Sequence, residues 1–334
     1  MTEVNQKKRH HYVPITFLNR FTDKGGRVFA YRKDGPQKPL RIRPSEIAFE
    51  RYYYSQPMPE GGQDNNRLED LFSEVETQWP GLVDDLSAQR DVHDRAEALF
   101  NFISLLRVRG PAARDPVELY LAHKVRRQMR QMADAGSLPP LPAELTMDEI
   151  EIAIDPHQSI HAMVLMLQGL ARLWEHIGLE VVHNTTAEPF ATSDNPVVYF
   201  DPDVREERVL PYMAQPPGQR VELLVPISPT VMLRGGTDLP VIGARNRLRH
   251  VEMRSRADVC RVNRFIARFG YRFVFANHGG LEGLVSKHGA LSPTVQFDID
   301  MGNDLDKPSL SQMVFGPRHR KPKWQARQES PGET

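Results

Sequence analysis

The sequence predicts an α+β fold with a small N-terminal β-meander, a helical middle and a C-terminal, mostly antiparallel sheet with a closing helix. Alternating apolar and polar residues indicate strands over 12–56, and apolar residues at helical spacing dominate 66–178. Short β-rich runs separated by Pro, Gly and Asp, with one helical segment, fill 179–280. We therefore expect one elaborated domain over 1–305 and a basic, partly disordered tail over 306–334.

The composition is that of a globular chain and limits its partners and location. The 334 residues are 40% hydrophobic, and 43 Lys and Arg balance 43 Asp and Glu, so global charge indicates no polyanionic partner. The single cysteine, Cys260, excludes an internal disulfide and suits a reducing cytoplasm. The N-terminus lacks an apolar signal segment, and the apolar run 162–167 is far shorter than the roughly 20 residues of a membrane span. We expect a soluble, cytoplasmic protein with no membrane partner; its oligomeric state is not specified.

The N-terminal strands follow from local backbone rules. In "KKRHHYVPITFLNRF", Pro14 keeps the preceding residues extended. The run "RVFAYRKD" alternates directly after the turn-forming "DKGG", and "LRIRP" is a second short strand. The segment 57–66 consists of turn-forming residues and predicts a loop.

The helical middle is delimited by caps and prolines. Pro80 should kink or end the helix of "NRLEDLFSEVETQW", and Asp91 should cap the next one. The pair Asp115-Pro116 predicts a cap followed by proline in the first helical position, opening a helix that runs to about Ala135. The segment "SIHAMVLMLQGLARLWEHIG" is apolar almost all round, which predicts a helix at the centre of the fold.

From residue 179 onwards the period changes to that of strands. The runs "LEVVHN", "PFATSD", "PVVYF", "VELLVPIS" and "TVMLRGG" predict one mostly antiparallel sheet. The segment "SRADVCRVNRFIARFG" returns to helical spacing, with Gly270 as its C′ residue, and "YRFVFA" alternates as a strand.

The adjacent pair His10-His11 is the first candidate site. Because successive side chains of a strand point to opposite faces, only one imidazole should face a pocket, as a general base or a metal ligand. The alternative is a structural plug held by backbone carbonyls. His157 and His161 have the i, i+4 spacing of zinc-binding histidines, but a solvated helix face explains this pair better.

The stretch "ATSDNPVV" is the second candidate site. Ser193, Asp194 and Asn195 stand where a strand should end, a common position for ligand or metal contacts because strands hold side chains rigidly. The alternative is an Asx-turn that only shapes the corner.

Two arginine clusters could bind phosphate. In "RVRGPAAR", Arg107, Arg109 and Arg114 lie near a helix end, where a cation complements the helix dipole or binds phosphate. A second cluster has helical spacing and predicts either a solvated face or a groove for nucleic acid; it comprises Arg261, Arg264, Arg268 and Arg272. The sequence contains no phosphate-loop, dinucleotide-binding, nucleophile-elbow or cysteine-based zinc motif.

Five segments, in order, resemble the bacterial family known as domain of unknown function 4238. They are "RHHYVPITFLNRFTDKGGRVFAYRKD", "PSEIAFERYYYS", "FATSDNPVV", "VPISPTVML" and "VNRFIARFGYRFVFA", and the resemblance covers about residues 8–280. In "ITFLNRF" the chain departs from the family, because Asn19 stands where relatives have a basic residue. The resemblance implies no particular reaction, but it implies that six residues match family positions and form one site: His10, His11, Arg20, Ser193, Asp194 and Asn195.

These features lead to two functional hypotheses. The first is a nuclease-like or other phosphodiester-directed enzyme, such as a bacterial defence effector or toxin, with nucleic acid as its partner. Its catalytic residues would be His10, His11, Asp194 and Asn195, and His11 and Asp194 would hold a divalent metal ion. Its substrate-binding residues would be Arg20, Arg107, Arg109, Ser193, Arg261, Arg264 and Arg268. The second hypothesis is a non-catalytic binding or scaffold protein in which both motifs are structural.

Overall fold

A computed structural model confirms the predicted fold class: N-terminal strands, a helical middle, and C-terminal antiparallel strands with a helix. The structure describes residues 7–58, 62–142, 144–243, 247–297, 311–319 and 321–322.

The N-terminal strands belong to two different sheets. The strands are β1 (Arg9–His11), β2 (Val28–Arg32), β3 (Leu40–Ile42) and β4 (Phe49–Arg51), with a short helix α1 (Ile15–Leu18) after β1. β1 pairs with β4 alone, whereas β2 and β3 form one edge of a four-stranded sheet. The predicted meander is therefore not an independent sheet. The predicted loop 57–66 also begins and ends in a short strand pair, β5 (Gln56–Pro57) with β6 (Gln63–Asp64).

The helical middle follows the predicted periodicity, but two helix starts differ from expectation. The helices are α2 (Arg67–Thr77), α3 (Trp79–Ser87), α4 (Ala96–Val108), α5 (Pro111–Asp134) and α6 (Pro156–Trp174). Pro80 does not end α2, which already stops at Thr77. Pro80 lies in the first turn of α3, where its missing N–H is not needed.

The prediction that Asp115-Pro116 opens a helix is wrong. α5 starts five residues earlier, because Gly110 is extended and Pro111 takes the first helical position. Pro116 therefore lies inside the helix. Asp91 does not cap α4 either. It accepts a hydrogen bond from the His93 N–H (3.0 Å) in a 3₁₀ turn that precedes α4.

The helix α6 does not lie at the centre of the fold. Its buried residues Ile160, Met163, Leu170 and Leu173 are at helical spacing, whereas Leu165 on the same helix is 69% exposed. A single packed face is enough to hold the helix, and its all-round apolarity leaves the opposite face in contact with solvent. Among the described helices, none is long and apolar enough to span a bilayer.

The predicted C-terminal sheet has five strands, in the order β12-β7-β11-β10-β9. They are β7 (Gly178–Asn184), β9 (Val198–Phe200), β10 (Glu222–Pro226), β11 (Val231–Gly236) and β12 (Arg249–Met253). All of its pairings are antiparallel except that of β12 with β7.

The run "PFATSD" does not join this sheet. Its strand β8 (Thr192–Ser193) pairs with β13 (Phe273–Ala276), and β13 pairs with β2, giving the order β3-β2-β13-β8. The Thr-Ser-Asp-Asn-Pro corner thereby shares a sheet with β2 and β3, whereas His10 and His11 lie on β1 in the other sheet.

Two helices and a strand pair complete the fold. The closing helix α7 (Arg256–Phe269) ends at Gly270, whose φ of −50° is not the left-handed conformation expected of a C′ glycine. After α8 (Glu282–His288), β14 (Ser292–Phe297) pairs with β15 (Ser311–Gly316). The segment 311–316, predicted as part of the tail, is therefore a strand; the rest of the predicted tail lies largely outside the described residues.

Candidate functional site

His10 is fully buried and both of its ring nitrogens are bonded to the main chain. Its Nδ1 accepts a hydrogen bond from the Tyr54 N–H (2.8 Å), and its Nε2 lies 3.1 Å from the Lys7 carbonyl oxygen, to which it donates. The imidazole also stacks on the Tyr54 ring. Burial is the main cause that lowers the pKa of His10, so the neutral form is favoured. These contacts match the structural plug weighed against the catalytic interpretation.

His11 points to the other face of β1, as expected for adjacent strand residues, and is partly exposed. Its Nε2 is 3.3 Å from the Ser45 carbonyl oxygen, and its ring lies against Phe49. Burial also lowers the pKa of His11, and the positive charge of Arg109 adds to this effect. His10 and His11 therefore do not enter one cleft together.

Asp194 follows β8 directly and is buried. Its Oδ1 accepts a hydrogen bond from the Tyr271 N–H and its Oδ2 one from the Arg272 N–H, both at 2.8 Å. Burial raises the pKa of the Asp194 carboxyl, and these N–H groups oppose that rise. The carboxylate thus holds the chain entering β13, and a metal ion would have to compete with both hydrogen bonds. No group of three potential metal-ligating side chains occurs among the residues that the structure describes.

Ser193 and Asn195 shape the same corner. The Ser193 hydroxyl accepts a hydrogen bond from the Asn195 N–H at 3.2 Å. The Asn195 amide group donates to the Phe269 carbonyl (2.8 Å) and to the Tyr212 hydroxyl (2.5 Å). Asn195 therefore connects the corner to the end of α7 and to the loop that carries Tyr212.

The chain's opening and this corner are linked through a second set of contacts. Arg109 donates a hydrogen bond to the His11 carbonyl oxygen. The next residue, Gly110, lies close to the corner: a Cβ atom added to it would be 3.4 Å from the Asp194 carbonyl oxygen. Arg272, whose N–H holds Asp194, forms an ion pair with Glu50 on β4. Arg109, Gly110 and the Arg272–Glu50 pair thus connect the chain's opening to the corner.

Most of the predicted substrate-binding arginines are already paired. Arg20 contacts Asp84 at 2.5 Å and Arg109 contacts Glu76. On α7, Arg261 contacts Glu222 at 2.8 Å, Arg264 contacts Glu206 at 3.0 Å, and Arg268 donates to the carbonyl oxygens of Glu206 and Glu207. Arg114 is fully buried and donates to Ser159, Tyr53 and Pro156. In these residues the positive charges stabilise the fold.

Arg107 is the exception. It is 9% exposed, and within the described part of the chain it forms no hydrogen bond or ion pair; its Nη1 is buried without a partner. Its guanidinium carbon lies 3.6 Å from the centroid of the Tyr212 ring. Burial raises the pKa of Tyr212 to about 12, and the charge of Arg107 opposes that rise.

Two cavities meet the side chain of Arg107. The larger, of about 490 Å³, lies between α6 and the loop before β10 and is lined by Leu170, Leu173, Tyr199 and Tyr212, among others. The smaller, of about 330 Å³, lies along the start of α5. Arg107 and Met166 line both.

Sequence reasoning missed Tyr212 and Arg272 as partners of the predicted residues. Tyr212 has a left-handed φ of 63°, which no letter pattern around it indicates. Arg272 was noticed only as part of a basic stripe, although its main-chain N–H is what Asp194 binds. His157 and His161 do share a helix face: their Nε2 atoms are 3.0 Å apart, in the first two turns of α6.

Comparison with known proteins gives a family and no closer relative. No curated protein and no solved structure matches the chain. A family model described as "Protein of unknown function (DUF4238)" matches residues 9–280. That match covers most of the chain, which therefore belongs to the DUF4238 family.

Proposed function

We propose that this protein is a non-catalytic binding protein in which the His-His and Thr-Ser-Asp-Asn-Pro motifs are structural joints. The observation that carries the proposal is the use of polar atoms. Both ring nitrogens of His10 and both carboxylate oxygens of Asp194 are bonded to main-chain groups. A general base or a metal ligand needs a lone pair directed at an open site. The acceptor lone pair of His10 Nδ1 is used by the Tyr54 N–H, and the Asp194 carboxylate is buried with a main-chain N–H on each oxygen.

The binding role is supported by the cavities beside Arg107. Their volumes are of the size that small ligands occupy. A buried guanidinium with an unpaired nitrogen on their walls lowers the stability of the fold, and binding of an anionic ligand would offset that cost. The nuclease-like activity, the defence role, the divalent metal ion, the nucleic-acid partner and the cytoplasmic location stay predictions.

Replacing Asp194 separates the structural role from a catalytic one. Asp194→Ala leaves the buried N–H groups of Tyr271 and Arg272 without an acceptor, at about 1–3 kcal/mol each. Relief of the buried charge offsets part of this cost, so we expect the free energy of unfolding to fall by at least about 2 kcal/mol in urea titrations. Asp134→Ala, at an exposed position near the end of α5, is the matched control and should change it little.

The same variants are assayed for cleavage of labelled DNA and RNA with Mg²⁺ or Mn²⁺. We expect no cleavage by the unaltered protein. The proposal fails if the unaltered protein cleaves either substrate and Asp194→Ala abolishes cleavage at unchanged stability, because catalytic residues can often be removed at little cost in stability.

A further inference from the structure

Within the described residues, Arg107 is a buried cation without a counterion. It lies in the last turn of α4, and its Nη1 has no hydrogen-bond partner although the neighbouring arginines Arg109 and Arg114 are fully bonded. The Tyr212 ring is the one stabilising contact described for its charge, and a cation–π contact does not satisfy guanidinium N–H groups. A buried charged group left in this state is costly, which favours a partner from beyond the described residues.

The walls of the two cavities combine positive charge with apolar side chains, which suits an anion that has an apolar part. Neither cavity is lined by a carboxylate among the described residues, whereas Arg172 adds a second, exposed cation to the larger one. The other walls are largely apolar or aromatic: Val108, Met166, Leu170, Leu173, Tyr199, Ala112, Val117 and Met313. A cationic ligand would meet like charge there, and a fully apolar ligand would leave Arg107 unpaired.

Tyr212 is built into this position at a cost. Its backbone has a φ of 63°, a conformation that is unfavourable for a bulky residue and often marks functional sites. Its hydroxyl accepts from Asn195 and donates to the Val197 carbonyl oxygen (3.2 Å). The Thr-Ser-Asp-Asn-Pro corner therefore holds the ring that flanks Arg107.

We propose that Arg107 binds the carboxylate or phosphate group of a small organic anion whose apolar or aromatic part lies against Met166 and Tyr199. The forked N–H groups of a guanidinium match both kinds of oxyanion. The inference rests on the proposed binding function and names its ligand class.

The test is isothermal titration calorimetry of the full chain with four probes of one shape: benzoate, phenyl phosphate, neutral benzamide and cationic benzamidine. We expect benzoate or phenyl phosphate to bind at least tenfold more tightly than benzamide, and benzamidine to bind most weakly. Preference between the two anions assigns the ligand as a carboxylate or a phosphate. If neither anion binds more tightly than benzamide, the proposal is overturned.

Two variants locate the site. Arg107→Met keeps the aliphatic stem, removes the charge and should weaken anion binding at least tenfold, whereas Arg254→Met, at an exposed position outside both cavities, should not change it. Gly169→Leu provides a second route if Arg107→Met does not fold. Gly169 lines the larger cavity within α6, and a Cβ there meets no atom within 4 Å, so a larger side chain can start at the edge of the cavity.

Gly169→Leu should retain the thermal stability of the unaltered protein and lose anion binding at least tenfold. Anion binding that is equal in the unaltered protein and in whichever of these variants fold would refute the site. The outcome can be distinguished from that of the Asp194 experiment. If Asp194→Ala loses stability but the unaltered protein binds no anion, only this inference is refuted. If the unaltered protein binds the anion and also cleaves nucleic acid, only the non-catalytic function is refuted.

Discussion

Truncating His10 tests the structural role of the chain's opening most directly. In His10→Ala the Tyr54 N–H, which is buried, loses its acceptor, and an unsatisfied buried donor costs about 1–3 kcal/mol. The stacked contact between the imidazole and the Tyr54 ring, whose centroids are 5.6 Å apart, contributes about 0.5–1.5 kcal/mol more. We expect the free energy of unfolding to fall by about 2–4 kcal/mol.

Two matched variants identify the atom responsible. His10→Asn can place its amide oxygen near the position of Nδ1 and should recover about 1 kcal/mol of the loss, because it restores an acceptor for the Tyr54 N–H. His11→Ala removes a partly exposed ring with one long hydrogen bond of 3.3 Å and a tilted contact with Phe49, and should cost about 1 kcal/mol. The measurement is urea denaturation followed by circular dichroism. Equal losses in His10→Ala and His11→Ala, or no recovery in His10→Asn, would refute the reasoning.

The same histidine makes stability depend on pH in a defined direction. Burial lowers the pKa of His10 below its usual 6.5, so below that value the unfolded chain binds a proton that the folded chain excludes. The stability that His10 contributes is thus present above about pH 6.5 and is lost as the pH falls through the lowered pKa. The fall in unfolding free energy between pH 7 and pH 5 should be smaller in His10→Asn than in the unaltered protein.

Two further predictions concern buried cations. Burial lowers the pKa of Lys33 from 10.5 to about 7, so between these pH values the unfolded chain binds a proton that the folded chain does not. The free energy of unfolding should therefore rise with pH across that window, and urea titrations at pH 7 and pH 10 should show a smaller rise in Lys33→Met. An identical rise in the variant would contradict the assignment to Lys33. Arg109→Met should lower the free energy of unfolding by about 3–5 kcal/mol, because Glu76 loses the buried guanidinium. Arg20→Met, whose partner Asp84 is largely exposed, should lower it by about 1 kcal/mol or less in the same assay. Comparable losses in the two variants would show that burial does not decide the difference.

The elements that the sequence predicts well are those governed by local periodicity. The strand "RVFAYRKD" and the helix "VNRFIARF" are indicated by their own residues, and β2 and α7 occupy those positions. The start of α5 was misplaced because Pro111 and Pro116 both satisfy the rule for a helix start, and the choice between them depends on the extended backbone of Gly110. The exposure of α6 depends on which other elements pack against it, and the sequence of the helix itself does not contain that information.

The sequence groups the His-His and Ser-Asp-Asn motifs into one site only through the family resemblance, and that grouping stays a prediction. Their role depends on groups far away in sequence. The partners of the Asp194 carboxylate are the N–H groups of residues 77 and 78 positions later, and a main-chain N–H carries no signature in the amino-acid sequence.

The three arginines of "RVRGPAAR" show why residue type alone does not identify a site. In sequence they are equivalent cations near one helix end, and each could complement the dipole or bind phosphate. In the fold, Arg109 meets Glu76 from α2, and Arg114 meets Ser159 and the main chain. Arg107 instead faces Tyr212 and two cavities that no carboxylate lines within the described residues. Arg107 differs from the other two arginines by the counterion that it lacks within the described residues, and residue type alone does not indicate that difference.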